Sequence, residues 1–160
     1  MTPDIFLKLD GIKGESQDSK HKGEIDVDSF TWGVHNGHSM GHGGGGGAGK
    51  VSFHDISITK SADASTPSLM TACAKGTHIK SGVLTVRKAG GEQEEFYKIQ
   101  LSQIMVSSIT NTGANGGVPS EMVSLNFGEI KFDYKEQKSE GSLGGVVHFG
   151  WDIKQNKFVA

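Results

Sequence analysis

Residues 65–76 constrain this chain more than any other stretch: they read as a helix, and the remainder reads as strands and glycine-rich turns. Thr66 has the hydroxyl of an N-cap, able to accept from an orphan N–H of the first turn. Pro67 then falls at the first helical position, where a missing N–H costs nothing. Lys75 sits in the last turn and complements the negative end of the dipole. Gly76 can take the left-handed conformation that closes a helix. Leu69, Ala72 and Cys73 follow the i, i+3, i+4 spacing of a narrow apolar stripe. A helix of about ten residues is marginal alone. This one, with Thr66, Pro67, Leu69, Ala72 and Cys73 as its structural residues, is expected to lie against the edge or open end of a β structure.

Ile5, Leu7 and Leu9 alternate with Phe6, Lys8 and Asp10, which predicts a strand with one mostly apolar face. Residues 14–23 read as a polar loop. Ile25 and Val27 resume the alternation, and residues 29–34 continue it with a bend or bulge near Asp28 or Gly33. Val51 and Phe53 share one parity, Ile56 and Ile58 the other, so a bulge is expected near Asp55. Residues 83–88 lead through a hairpin turn at Ala89, Gly90 and Gly91 into a long strand. Its parity changes near Gln103, a strand of that length can curl from one sheet into another, and residues 111–117 read as a second glycine-rich loop. Val123, Leu125 and Phe127 alternate; Ile130, Phe132 and Tyr134 follow with opposite parity, and Gly128 marks the bend between them. Residues 135–145 are polar and turn-like, and Val147, Phe149, Trp151 and Ile153 form the last strand. Alternating strands, repeated parity shifts and one helix predict a single mainly β domain over 1–160, a sandwich or closed barrel.

Composition excludes several roles. Sixteen basic residues stand against 18 acidic ones, for a formal net charge of -2, with no basic stripe of the kind that binds nucleic acid. No run of about 18 apolar residues could cross a membrane as a helix. The start, from Met1 to Lys8, has no basic segment followed by an apolar one, so no signal peptide is expected and the chain is made in the cytoplasm. The single Cys73 excludes an intrachain disulfide. Apolar residues reach only 34%, a thin core whose stabilisation neighbours in an assembly can share.

The least ordinary tract is Gly41, His42, Gly43, Gly44, Gly45, Gly46, Gly47, Ala48, Gly49 and Lys50. Ordering a run of glycines alone carries a large entropic cost, so the tract is a mobile loop or an arm ordered by another chain. Its G-x-x-x-x-G-K spacing from Gly44 to Lys50 matches a phosphate loop. Val51, however, stands where Ser or Thr would hold the metal, and a strand follows where a helix is needed. His35, His38 and His42 lack a fourth ligand and a supporting shell. Asp26 and Asp28 share a strand face as a glycosidase pair might, but solvated strand carboxylates are far commoner. Cys73 lies late in the helix, where the dipole disfavours a thiolate. No catalytic set, metal site or cofactor site emerges, and a structural or binding role is expected in place of an enzyme.

Several stretches, taken together and in order, resemble one family. Lys13-Gly14-Glu15-Ser16, Lys20-His21 and Ile25-Asp26-Val27 open the match. Residues 43–51, Thr59-Lys60, Ser65-Thr66-Pro67-Ser68-Leu69-Met70 and Arg87-Lys88-Ala89-Gly90-Gly91-Glu92 continue it. Val106-Ser107-Ser108, Ser124-Leu125-Asn126-Phe127 and Gly150-Trp151-Asp152-Ile153 complete it. This ordered set is similar to the haemolysin-coregulated proteins (Hcp), tube subunits of bacterial type VI secretion systems. The resemblance implies a two-sheet β-barrel with one flanking helix, tail-tube-like in fold. It implies homohexameric rings that stack into an inner tube, with spike, sheath and baseplate as partners and small effector proteins carried in the lumen. Export by the type VI apparatus, to the medium or a target cell, is implied as well. The tract from Gly41 to Lys50 matches the family's extended loop, expected at the subunit or ring interface. No fused toxin domain is expected after Ala160. The alternative from another class is a monomeric β-sandwich that binds a small ligand or carbohydrate in an aromatic pocket.

Overall fold

The computed structural model describes residues 4–37, 51–88, 93–140 and 142–160. The elements in chain order are β1 (Asp4–Leu9), β2 (Ile25–Asp26), β3 (Ser29–Thr31), β4 (Val34–Asn36), β5 (Val51–Phe53), β6 (Ile56–Ser61), α1 (Thr66–Lys75), β7 (His78–Arg87), β8 (Glu95–Thr112), β9 (Ser120–Asn126), β10 (Glu129–Gln137), β11 (Leu143–Asp152) and β12 (Lys157–Phe158). Among the described residues the chain is mainly β, with one helix, as the sequence predicts.

The long β8 organises the sheet. Its first half pairs with β7 on one edge and β10 on the other, and its second half pairs with β9. The changeover lies at Gln103, whose φ is 54°. A left-handed residue in a strand breaks the pleat and bends it. Burial parity flips there: Ile99 and Leu101 are buried before it, Ile104 and Val106 after it. Gly128, between β9 and β10, faces the bend, where a Cβ would crowd the Gln103 side chain, 2.6 Å from its Oε1 and 3.1 Å from its Cβ.

The ladder returns on itself. β7 pairs with β1, and β1 with β2. The Val27 N–H then donates to the Ile5 carbonyl, and the next N–H, of Asp28, donates to Thr59 in β6. β3 pairs with β6, β6 with β9, and β9 with β8. Residues 25–31 thus pass from one edge to the other and close a barrel, which removes the edges they would otherwise leave exposed. β10, β11 and β12 extend the first half of β8 as a wing, and β4 with β5 forms a separate two-stranded ladder. The expected bends near Asp28, Gly33 and Asp55 fall at the breaks between β2 and β3, β3 and β4, and β5 and β6.

Two kinds of side chain fill the interior. The barrel core is aliphatic: Leu7, Ile25, Ile58, Leu84, Ile99, Ile104 and Leu125 are each no more than 1% exposed. Between the wing and β3–β5 the packing is aromatic. Phe53 meets Phe127, Phe149 and Trp151; Tyr97 meets Phe132 edge-on at 4.7 Å. Trp32 Nε1 donates to the Tyr97 hydroxyl at 2.8 Å, so the buried indole N–H is satisfied.

Three expectations change. Thr66 is not the N-cap: Ser65 is, and it makes no side-chain cap bond. The Thr66 hydroxyl instead accepts from the Asp63 N–H at 3.0 Å, while Asp63 Oδ1 accepts from the Ser65 N–H at 2.8 Å. Asp63 has taken over the turn before the helix, which moves Pro67 to the second helical position. Residues 135–145 are not all turn: β10 runs to Gln137 and β11 starts at Leu143, polar because both faces there are open to solvent. Asn111 and Thr112, read as loop, are the end of β8. The helix C-terminus follows its sequence. Gly76 has φ 64°, its N–H reaches the Cys73 carbonyl, and the Thr77 N–H reaches Ala72, which is a Schellman closure.

Candidate assembly surfaces

The residues from Gly41 to Lys50 lie outside the described part, as do Ala89, Gly90 and Gly91 of the expected hairpin turn. What the structure describes is the base of the glycine tract. Asn36 pairs with Val51 at the end of the β4–β5 ladder, and Val34 there is 52% exposed. Of the helix residues, Leu69 and Ala72 are buried, Thr66 and Cys73 half-buried and Pro67 exposed. The buried pair faces β8.

A buried ion cluster, invisible to pattern reading, holds the helix entry. Lys60 is wholly buried in β6. Its Nζ donates to Glu121 Oε2 at 2.6 Å, to Asp63 Oδ1 at 2.9 Å and to the Ser61 carbonyl at 2.9 Å. All three ammonium hydrogens are therefore used. Because Asp63 also holds Ser65, the cluster ties β6 and β9 to the first turn of α1.

A second polar cluster sits under residues 12–24. Within it, residues 14–23 read as a polar loop, yet the segment folds over the outer face of β1 and β7. Gly14 N–H donates to the Gly23 carbonyl, and Ser16 N–H to Glu24. Phe6, on the nominally outward face of β1, is therefore 4% exposed. Its ring stacks on His21 at 4.3 Å and lies 4.8 Å from the Arg87 guanidinium. Arg87 is buried and bonded to the carboxylates of Asp4 and Asp18. The hydrogen bond from Arg87 holds the Asp18 carboxyl down to about 2, and the same pairing raises the guanidinium above its usual value. Asp26, part of the weighed glycosidase pair, lines this cleft with Asp4 and Asp18. Burial raises its carboxyl above the usual range.

Two surfaces stand open. The first is the outer edge of β11. β12 pairs only with Trp151 and Asp152, and among the described residues no strand covers the edge before Gly150. Val146 and Val147, on opposite faces of that edge, are 40% and 62% exposed. An unpaired strand edge carrying apolar side chains is a template for pairing with another chain.

The second is the outward face of β3, β6, β9 and the end of β8. The registers place Thr31, Ser57, Ser124 and Ser108 in one cross-strand row. Ser29, Thr59, Met122 and Thr110 form the next, and Ser61, Ser120 and Thr112 a third. Ser57 and Ser124 share a hydrogen bond of 3.0 Å, and Ser29 and Thr59 one of 2.5 Å. Every position in these rows is a hydroxyl except Met122. Among the described residues no group of His, Cys, Asp and Glu is arranged to hold a metal ion, and no helix is long and apolar enough to cross a membrane.

Comparison with known proteins agrees with this architecture. The family described as "Type VI secretion system effector, Hcp" matches over residues 6–134. The curated protein Hcp1 of Pseudomonas aeruginosa is 49% identical over 160 residues, 98% of each chain. A solved type six secretion system protein superposes with a TM-score of 0.93 at 31% identity, covering 99% of this chain and 100% of that one. Hcp1 of Salmonella typhimurium superposes with a TM-score of 0.82 at 35% identity, again covering 99% and 100%. A chain that shares the family's sequence over most of its length, and its fold over nearly all of it, belongs to the Hcp family of type VI secretion proteins.

Proposed function

We propose that this chain is the structural subunit of the type VI secretion tube, not an enzyme. Copies close into a homohexameric ring, rings stack into the inner tube, and small effector proteins ride in the lumen. Spike, sheath and baseplate are the other partners, and the apparatus exports the chain. The observation that supports this reading best is the open edge of β11 in a member of this family. A heterologous contact between that edge and a different surface of the next copy, repeated around a closed rotation, makes a ring. Residues 41–50 are assigned to the same assembly, as an arm reaching a neighbouring subunit or the next ring; glycine permits close backbone approach to another chain. The carbohydrate-binding alternative is weakened, because Trp32 and Trp151 pack in the aromatic layer. Shortening residues 43–47 to a two-residue link tests the arm. The far-UV spectrum is expected to stay intact while ring formation, stacking or export is impaired. Normal assembly and export of that variant would reduce the arm to a spacer.

A further inference from the structure

His21 is buried in a segment, residues 12–24, that is otherwise half-buried or exposed apart from Ser16. Its ring lies flat on Phe6, and each ring nitrogen faces a carboxylate. Nδ1 shares a hydrogen bond of 2.8 Å with Glu24 Oε2. Nε2 is buried without an aligned hydrogen-bond partner, yet Glu95 Oε1 lies 2.9 Å from it. Glu24 belongs to the segment itself, whereas Glu95 opens β8. The ring therefore bridges the segment to the sheet. A neutral imidazole has one N–H and one lone pair; the imidazolium has two N–H groups. Only the charged ring can serve both carboxylates. Because the Glu95 contact is poorly aligned, its attraction is Coulombic and goes with the charge of the ring. A neutral ring would leave one carboxylate uncompensated in a buried contact.

We propose that His21 is a proton-operated fastener. Protonated, it holds residues 12–24 to β8 through Glu95 and to their own turn through Glu24; neutral, it lets the segment lift from β1 and β7. The other charges on the surrounding elements do not substitute for it. Arg87 of β7 is taken up by Asp4 of β1 and Asp18 of the segment. Lys98 of β8 stands 3.5 Å from Glu95, with both side chains about a third exposed, and such a pair contributes little. Lys20 and Lys22 of the segment are exposed, and Lys88, next to Arg87, is half-buried. A histidine ordinarily changes charge between about pH 5 and 8. The fastener is complete at the acid side of that range and is lost as pH rises through it, the opposite sense to the Asp18–Arg87 contact, which acid breaks. Lys20 and Glu95 also wall the cleft that reaches Val146 on the open edge of β11, so release alters the surface beside that edge.

Amide hydrogen exchange of the full chain at about pH 5.5 and about pH 8, with the intrinsic rate divided out, tests this. The probes are the amides of Gly14, Ser16 and Gly23, whose bonds to backbone carbonyls hold the folded segment. Their protection in wild type is expected to be several-fold higher at the lower pH. Amides of Leu84 and Ile99 in the barrel serve as the reference and should show the same protection at both. His21→Gln should give low segment protection at both pH values. Glu95→Gln leaves the ring in place, removes only the carboxylate on β8, and serves if the first variant fails to fold. It should bring segment protection at the lower pH down to the wild-type level at the higher one. Wild-type protection that is equal at the two pH values or rises with pH overturns the proposal. So does a reference that changes together with the segment, or a variant of either residue that keeps the full wild-type pH dependence.

Discussion

At the scale of single residues, the charges of this chain act where they are buried. Lys60, Glu121 and Asp63 form a cluster in which removal of Lys60 leaves both carboxylates uncompensated; one oxygen of Glu121 already has no hydrogen-bond partner. Lys60→Met alone is expected to cost about 3–5 kcal/mol, and pairing it with Glu121→Leu should recover most of that loss. Urea titration of the single and double variants checks this; equal losses would mean that the ion pair is not the cause. Asp18 makes a second prediction. Its carboxyl is held down to about 2 in the folded chain, against about 3.9 for a free one. The stability it contributes is present above the higher value and is lost as pH falls towards the lower. Hydrogen exchange of residues 12–24 should therefore rise between those limits. Asp18→Asn should show the faster exchange already at neutral pH and a flatter acid profile. A wild-type profile that is flat across the window would exclude the Arg87 contact as the fastener of this segment.

At the scale of elements, α1 is held by packing and not by its caps alone. Leu69 is fully buried against β8, so Leu69→Ala should cost roughly 2–5 kcal/mol in a urea titration. A change within about 0.5 kcal/mol would mark the helix as an exposed connector. The helix and the strands were legible because period and punctuation are local. Gly76 closes the helix as its sequence indicates, and the parity flips at Gln103 and Gly128 report real bends. The cap was not legible, because Asp63 takes its position from Lys60, itself fixed by Glu121 across the barrel. Residues 14–23 read as a polar loop for a similar reason: their polar partners, Arg87 and Glu95, lie far along the chain. The end of β10 and the start of β11 read as turn because apolar patterning fades where both faces of a strand are wet.

At the scale of the whole molecule, the barrel closes on itself but the wing does not. The open edge of β11 pairs with no strand before Gly150 among the described residues, and in the proposed ring it would meet the next copy. Lys at an exposed edge position blocks strand pairing without disturbing the core. Val147→Lys should accordingly keep the far-UV spectrum and the melting temperature of the single chain while weakening self-association. A variant that associates like wild type would move the subunit contact to another surface. The proposed arm at residues 41–50 and the proposed contact at the β11 edge both bear on one quantity, the number of chains in the particle. Static light scattering of the purified protein at micromolar concentration reads it directly. A closed ring predicts about six times the 17.0 kDa of one chain, and a monomer at that concentration would contradict the tube-subunit account.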